Sequence, residues 1–146
     1  VYALPVTVPA RTTGGEIFVP PSLFDWDYEI LSGNAELTPK GLYLYEESAV
    51  QLTFTPMQDV RLGQPEMLTL QLTPDGPSTA QPLPQIALWN YQNATWEPLD
   101  AGWGETVIDD PAPYVAETGE VRCRLTADPA AAPIMVPLPA FTLRGR

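Results

Sequence analysis

Apolar and polar residues alternate along much of the chain, and this pattern predicts strands. In residues 49–55, Val50, Leu52 and Phe54 occupy one face and polar residues occupy the other. Similar alternation occurs in residues 41–46, 66–72, 85–91 and 119–126, and in shorter form in residues 2–8, 16–19, 26–31 and 141–144. Such alternation is typical of antiparallel sheets with one face on a core and one in water. Eight or nine short strands of this kind predict an all-β sandwich or barrel.

Proline punctuates these segments and leaves no room for a long helix. The chain has 18 prolines among 146 residues, spread between the apolar runs. The longest proline-free stretches, residues 22–38 and 40–55, lack the 3.6-residue apolar period of a helix. The sequence predicts a hairpin turn at residues 46–48 and another turn at residues 73–76 (Thr-Pro-Asp-Gly). Residues 100–120 predict a long loop, of the kind that is functional or packs back on the domain.

Charge and composition exclude several classes of function. There are 7 basic and 18 acidic residues, for a net charge of −11, and no histidine. Nucleic acid is therefore not an expected partner, because phosphate binding is driven by Lys and Arg. Catalysis by histidine and imidazole metal sites are excluded, and one cysteine permits neither an internal disulfide nor a multi-cysteine zinc site. No apolar run is long enough to insert into a membrane.

Carboxylates are the remaining candidates for acid–base or metal chemistry. A glycosidase needs two carboxyl groups facing each other across a sugar, which neighbours in sequence do not supply. Calcium accepts carboxylate, carbonyl and water oxygens in a flexible geometry. The sequence therefore indicates a structural Ca²⁺ site at Asp109 and Asp110 in the long loop, with a solvated acidic loop as the alternative.

Aromatic and arginine side chains are the candidates for ligand binding. Trp103 lies between two glycines in the predicted loop, and Trp26 lies between two aspartates; both indoles could stack on a sugar ring. Arg122 and Arg124 alternate with core residues and should project from one sheet face. There they could bind a carboxylate or sugar hydroxyls through forked hydrogen bonds, the alternative being a surface ion pair with a neighbouring strand. Cys123 is predicted to face inward as a small buried apolar residue.

Two segments resemble the galactose-binding-domain-like jelly-roll sandwiches of bacterial surface proteins and enzymes. These are WNYQNATWEPLD at residues 89–100 and YVAETGEVRCRL at residues 114–125. The resemblance extends over residues 16–146. It implies a jelly-roll arrangement, carbohydrate binding at one end of the sandwich and a structural Ca²⁺, although some such domains act only as spacers. No ligand residue of that family transfers to this chain.

These observations combine into one expectation with two alternatives. Residues 1–146 are expected to form a single antiparallel sandwich, excised from a longer protein because the chain starts at Val1 without methionine. The domain is expected to be a non-catalytic, extracytoplasmic module of an exported or membrane-anchored bacterial protein. It would bind carbohydrate, with no cofactor beyond the Ca²⁺. The first alternative is a spacer that docks on another domain of the parent protein, and the second is a glycoside hydrolase or lyase that uses acidic residues.

Overall fold

The protein is a β-sandwich built almost wholly from short strands. The structure, a computed structural model, describes residues 17–45, 47–58, 63–74, 83–127 and 134–146. These residues contain the twelve strands β1 (Ile17–Val19), β2 (Phe24–Ser32), β3 (Ala35–Thr38), β4 (Gly41–Leu44), β5 (Ala49–Pro56), β6 (Pro65–Leu72), β7 (Gln85–Asn90), β8 (Thr95–Leu99), β9 (Gly104–Ile108), β10 (Val121–Thr126), β11 (Ile134–Val136) and β12 (Ala140–Gly145). Two 3-10 turns, Pro21–Leu23 and Ala112–Tyr114, complete the described elements.

The strands form three antiparallel sheets around one core. A five-stranded sheet has the order β2-β5-β10-β7-β8, a four-stranded sheet the order β1-β12-β6-β9, and a three-stranded sheet the order β11-β4-β3. The rings of Phe54 and Phe141 meet edge to face with their centroids 5.0 Å apart, which joins the five-stranded sheet to the four-stranded one. Leu42 and Leu44 of β4 bring the three-stranded sheet to the same core, and both are fully buried.

Most of the predicted strands are confirmed, together with the antiparallel sandwich. The inward residues of the alternating segments are buried as expected, including Val50, Leu52 and Phe54 of β5. The jelly-roll type stays a prediction. Residues 2–8 and part of the 73–76 turn lie outside the described residues. No helix in the described part of the chain is long and apolar enough to cross a membrane.

Two predictions about connections are wrong. Strands β4 and β5 do not form a hairpin, since β4 pairs with β3 and β11 whereas β5 pairs with β2 and β10. The chain passes between sheets here. Residues 100–120 are not simply a loop, because β9 lies within them and pairs with β6 at the edge of the four-stranded sheet.

Gly41 allows the three-stranded sheet to close against the chain that follows β11. Its φ is +139°, a backbone conformation that side chains rarely permit. A Cβ at this position would lie 2.4 Å from the carbonyl oxygen of Val136 and 2.6 Å from the Cα of Pro137. Both obstacles are backbone atoms of a paired strand and its neighbour, so relief would require β11 to move.

We expect Gly41→Ala to destabilise the fold by about 2–4 kcal/mol, since it combines a disfavoured φ with a backbone clash. Gly102→Ala is the matched control, because nothing lies within 4 Å of a Cβ there. Urea denaturation should show a lower midpoint for the first variant and a nearly unchanged midpoint for the second. Equal midpoints for the two variants would contradict the close approach at Gly41.

Candidate functional site

Strand β10, the middle strand of the five-stranded sheet, presents its two arginines to the outside. Val121, Cys123 and Leu125 are buried, and side chains alternate along a strand, so Arg122 and Arg124 lie on the opposite face. Both arginines are partly exposed. The expectation that they project from one sheet face is confirmed.

Aromatic side chains lie beside these arginines on the same face. Ile86 and Leu88 of β7 are buried, which puts Trp89 on the outside, where it is the cross-strand partner of Trp96. The two indoles meet edge to face at 5.2 Å. The guanidinium carbon of Arg124 lies 5.1 Å from the centre of the Trp96 ring. This is the geometry of a cation–π contact.

Tyr91 extends the arrangement towards Arg122, whose guanidinium carbon lies 5.8 Å from the centre of the tyrosine ring. We call Trp89, Tyr91, Trp96, Arg122 and Arg124 the aromatic–arginine face. All five side chains are partly exposed. Planar rings and planar guanidinium groups therefore lie together on the outer surface of β10, β7 and β8.

The two arginines differ in their acidic partners. Glu120 Oε2 accepts a hydrogen bond from the Tyr91 hydroxyl at 3.0 Å and lies 3.4 Å from Arg122 Nη2. Burial, and then the charge of Glu120, raise the pKa of Tyr91 well above its ordinary value, so its hydroxyl stays a donor. Arg124 makes no ion pair with any carboxylate among the described residues. The alternative predicted an ion pair with a neighbouring strand. Arg122 instead pairs with Glu120, which directly precedes β10 on the same chain segment.

A shallow polar cleft of about 240 Å³ lies at the β2–β5 side of the same sheet. It is lined along β2 and β5 by Asp25, Trp26, Asp27, Thr53 and Thr55. Trp26 is the cross-strand partner of the buried Phe54, so its indole lies on the inner side and packs against the core. Its predicted contact with a ligand stays a prediction.

A second cleft, of about 280 Å³, lies between β8, at the edge of the five-stranded sheet, and β9, at the edge of the four-stranded sheet. Glu97 is anchored in this cleft by two neutral donors. The Tyr114 hydroxyl donates to Glu97 Oε1 at 2.6 Å, and Asn90 Nδ2 donates to Oε2 at 2.7 Å. The hydrogen bond from Tyr114, followed by that from Asn90, lowers the pKa of Glu97. Because both carboxylate oxygens are engaged, Glu97 acts as a structural tie between β7, β8 and the Ala112–Tyr114 turn.

Asp109 and Asp110 line the mouth of this second cleft and are exposed. Across the described ranges, no group of three or more acidic, cysteine or histidine side chains is arranged to hold a metal ion. The Ca²⁺ site therefore stays a prediction from sequence. Trp103 lies immediately before β9, partly buried and packed against the core, and its contact with a ligand likewise stays a prediction.

Cys123 is buried in the core, with 1% of its surface exposed. Burial raises the pKa of its thiol to about 12, so the reactive thiolate is scarce at neutral pH. The expectation that it is a small buried apolar residue is confirmed.

Trp89, Tyr91 and Trp96 are the members of the face that the sequence did not single out as candidates. Alternation placed Trp89 opposite Ile86 and Leu88 but did not reveal which side was buried. The available signal was that Ile86 and Leu88 are aliphatic and continue the core pattern of the other strands. Trp96 is placed on this face only by the pairing of β8 with β7, and the sequence did not predict β8.

We expect the pKa of the Glu97 carboxyl, measured by carbon-detected NMR titration, to lie below the value of about 4.3 found in peptides. In Tyr114→Phe it should rise towards that value, because the largest cause of the shift is removed. A pKa that is lower in the folded state contributes stability above the unfolded-state pKa, and this contribution is lost as the pH falls through the folded-state value. An unchanged Glu97 pKa in Tyr114→Phe would contradict the assigned hydrogen bond. Tyr43→Phe, which changes a tyrosine on the three-stranded sheet, is the control.

Comparison with known proteins gives a family but no activity. No curated protein matches the chain in a sequence search. One family model, described as a domain of unknown function, matches residues 18–145, which run from the second residue of β1 to the end of β12. Because this match covers nearly the whole sequence, the protein belongs to the DUF8815 family.

Proposed function

We propose that the domain is a non-catalytic module that binds carbohydrate on the outer surface of its five-stranded sheet. The observation that carries the proposal is the aromatic–arginine face, where Trp89 and Trp96 lie side by side with Arg124 over one ring. Its setting in a larger exported or membrane-anchored bacterial protein rests on the resemblance to galactose-binding-domain-like modules.

Stacking is the first physical argument for a sugar ligand. The apolar face of a sugar ring can cover an indole, and indoles offer a large, rigid contact area with few torsions to immobilise. Sugar hydroxyls need hydrogen-bond donors and acceptors beside that contact. The guanidinium of Arg124 supplies donors, and Gln51, its cross-strand partner on β5, supplies both.

The extent of the surface is the second argument. Five strands at a spacing of about 4.8 Å give an outer surface about 19 Å wide, from β2 to β8. Across it the side chains change from aspartates on β2, through threonines on β5 and arginines on β10, to indoles on β7 and β8. This width suits an extended oligosaccharide better than a single sugar.

Docking on another domain of the parent protein is the second candidate function, and one observation favours it. At the end of β2, an edge strand in the described sheet, the apolar residues Tyr28, Ile30 and Leu31 are 39%, 43% and 43% exposed. Adjacent exposed apolar residues of this kind are common at protein interfaces. They lie at the opposite edge of the sheet from the aromatic–arginine face, so the two functions can be tested separately.

We expect calorimetric titration with neutral trisaccharides of galactose, glucose, xylose and mannose to show binding of at least one. Trp96→Ala and Trp89→Ala should each weaken that binding by about tenfold, since an aromatic contact of this size contributes about 1–1.5 kcal/mol. Tyr45→Ala is the matched control, because Tyr45 pairs with Tyr43 at 5.2 Å on the three-stranded sheet.

Two outcomes would contradict the carbohydrate proposal. One is the absence of binding to any saccharide, whether neutral or acidic. The other is binding that Tyr45→Ala weakens as much as Trp96→Ala does. In either case, concentration-dependent association with the remainder of the parent protein that Ile30→Asp abolishes would favour the docking function.

A further inference from the structure

The two arginines of the aromatic–arginine face stand out against the charge of the whole chain. Only seven of its residues are cationic, against 18 acidic ones. Most of the other cationic side chains that the structure describes make contacts elsewhere in the fold. Arg146 pairs with Glu66 at 3.3 Å, and Arg144 stacks over Phe18 at 4.8 Å on the four-stranded sheet. Arg122 and Arg124 lie two residues apart on one strand and share its outer face.

Arg124 is the member of this pair whose guanidinium makes no ion pair with a carboxylate of the described residues. Arg122 is held by Glu120 and Tyr91, as described above. For Arg124 the structure gives a stack on Trp96 at 5.1 Å and no ion pair with a described residue. The contact with the ring places the guanidinium beside Trp96, and a planar guanidinium presents paired N–H donors that match the two oxygens of a carboxylate.

The cross-strand neighbours of Arg124 add no competing negative charge. Its partners in the two ladders are Gln51 on β5 and Ala87 on β7. Ala87 is 7% exposed although it lies on the outer side, so the surrounding side chains cover it. An anion at this position would meet an arginine, an amide and an indole. The carboxylate of β2 that is in register with Arg124 is that of Glu29, the partner of Gln51, and its strand lies two strands away at about 10 Å.

From this arrangement we propose that the carbohydrate bound by the aromatic–arginine face carries a carboxylate, as in a uronic acid, which Arg124 binds while an adjacent sugar ring lies against Trp96 or Trp89. This proposal rests on the carbohydrate-binding function proposed above and names its ligand class. The net charge of −11 disfavours polyanions over most of the surface. Attraction of an acidic sugar must therefore come from Arg124, because Arg122 is already paired with Glu120.

The test compares acidic and neutral trisaccharides of the same length by calorimetric titration. The acidic probes are galacturonate, glucuronate and mannuronate trisaccharides, and the neutral probes are the corresponding galactose, glucose and mannose trisaccharides. At least one acidic probe should bind about tenfold more tightly than its neutral counterpart, since a hydrogen bond to a charged group exceeds a neutral one by this order. A sulfated galactose trisaccharide serves as the anionic control. It should bind more weakly than the carboxylate, because a sulfate ester spreads one charge over three oxygens, each a weaker hydrogen-bond acceptor than a carboxylate oxygen.

Arg124→Gln should remove the preference for the acidic probe. It should weaken binding of that probe by about tenfold more than binding of the neutral probe, which loses only hydrogen bonds from the guanidinium to its hydroxyls. Arg146→Gln is the matched control, because it removes the same charge from an exposed position on the other main sheet, where the side chain is 70% exposed. Arg124→Lys keeps the charge without the planar fork and should retain only part of the preference. It also serves as the second variant if Arg124→Gln unfolds, which a thermal melt of each variant would reveal.

The outcomes separate this inference from the proposed function. Suppose that neutral probes bind, that Trp96→Ala weakens this binding, and that no acidic probe binds more tightly. The assignment of a carboxylate ligand is then overturned, and the carbohydrate-binding function stands. If the sulfated probe binds as tightly as the best uronate, the ligand class is an anion in general and the carboxylate assignment is overturned. Equal effects of Arg124→Gln and Arg146→Gln would also overturn it. If no saccharide binds, both proposals fail.

Discussion

The requirement that β10 bury Val121, Cys123 and Leu125 determines most of what the outer surface can do. This strand lies in the middle of the five-stranded sheet, with β5 on one side and β7 on the other, so it cannot rotate or slip without losing two ladders. A slip of one residue would exchange its faces and bury both arginines, which is far too costly for charged groups. The positions of Arg122 and Arg124 are therefore consequences of core packing.

The outer surface and the second cleft are supported by the same short connection. Asn90 is buried at the end of β7, and its side-chain oxygen accepts hydrogen bonds from the backbone N–H groups of Gln92 and Asn93. Its amide nitrogen donates to Glu97, which is also bound by Tyr114. This network sets the turn between β7 and β8. Since Trp89 and Trp96 lie on either side of that turn, the network also sets the distance between the two indoles.

The alternation in β5, β6 and β10 is clear in the sequence because each of these strands buries three alternating apolar residues. The sequence did not predict β3, β8, β9 and β11, whose lengths are three to five residues. In β8 and β9 only Ile108 is buried, because both lie at sheet edges, and an edge strand has a weak apolar pattern. The predicted hairpin between β4 and β5 failed for a different reason. Alternation identifies strands but does not say which sheet each one joins.

The candidate site, like the fold, was predictable from the sequence only in part. The alternation around Cys123 was enough to place Arg122 and Arg124 on one outer face. Their aromatic neighbours follow from pairing across strands, which depends on register and cannot be read from one strand alone. Trp26 and Trp103 were selected for their polar or glycine neighbours, yet both pack against the core. Local sequence context is thus a weaker guide to an indole's position than the burial of its cross-strand partner.

Cys123 gives the fold an internal reporter. It is the sole thiol of the chain, it is 1% exposed, and it lies in the strand that holds the five-stranded sheet together. A water-soluble thiol reagent can reach its sulfur only when β10 separates from the facing sheet. The labelling rate under native conditions therefore measures how often the sandwich opens, and its dependence on denaturant distinguishes a local separation of the sheets from complete unfolding.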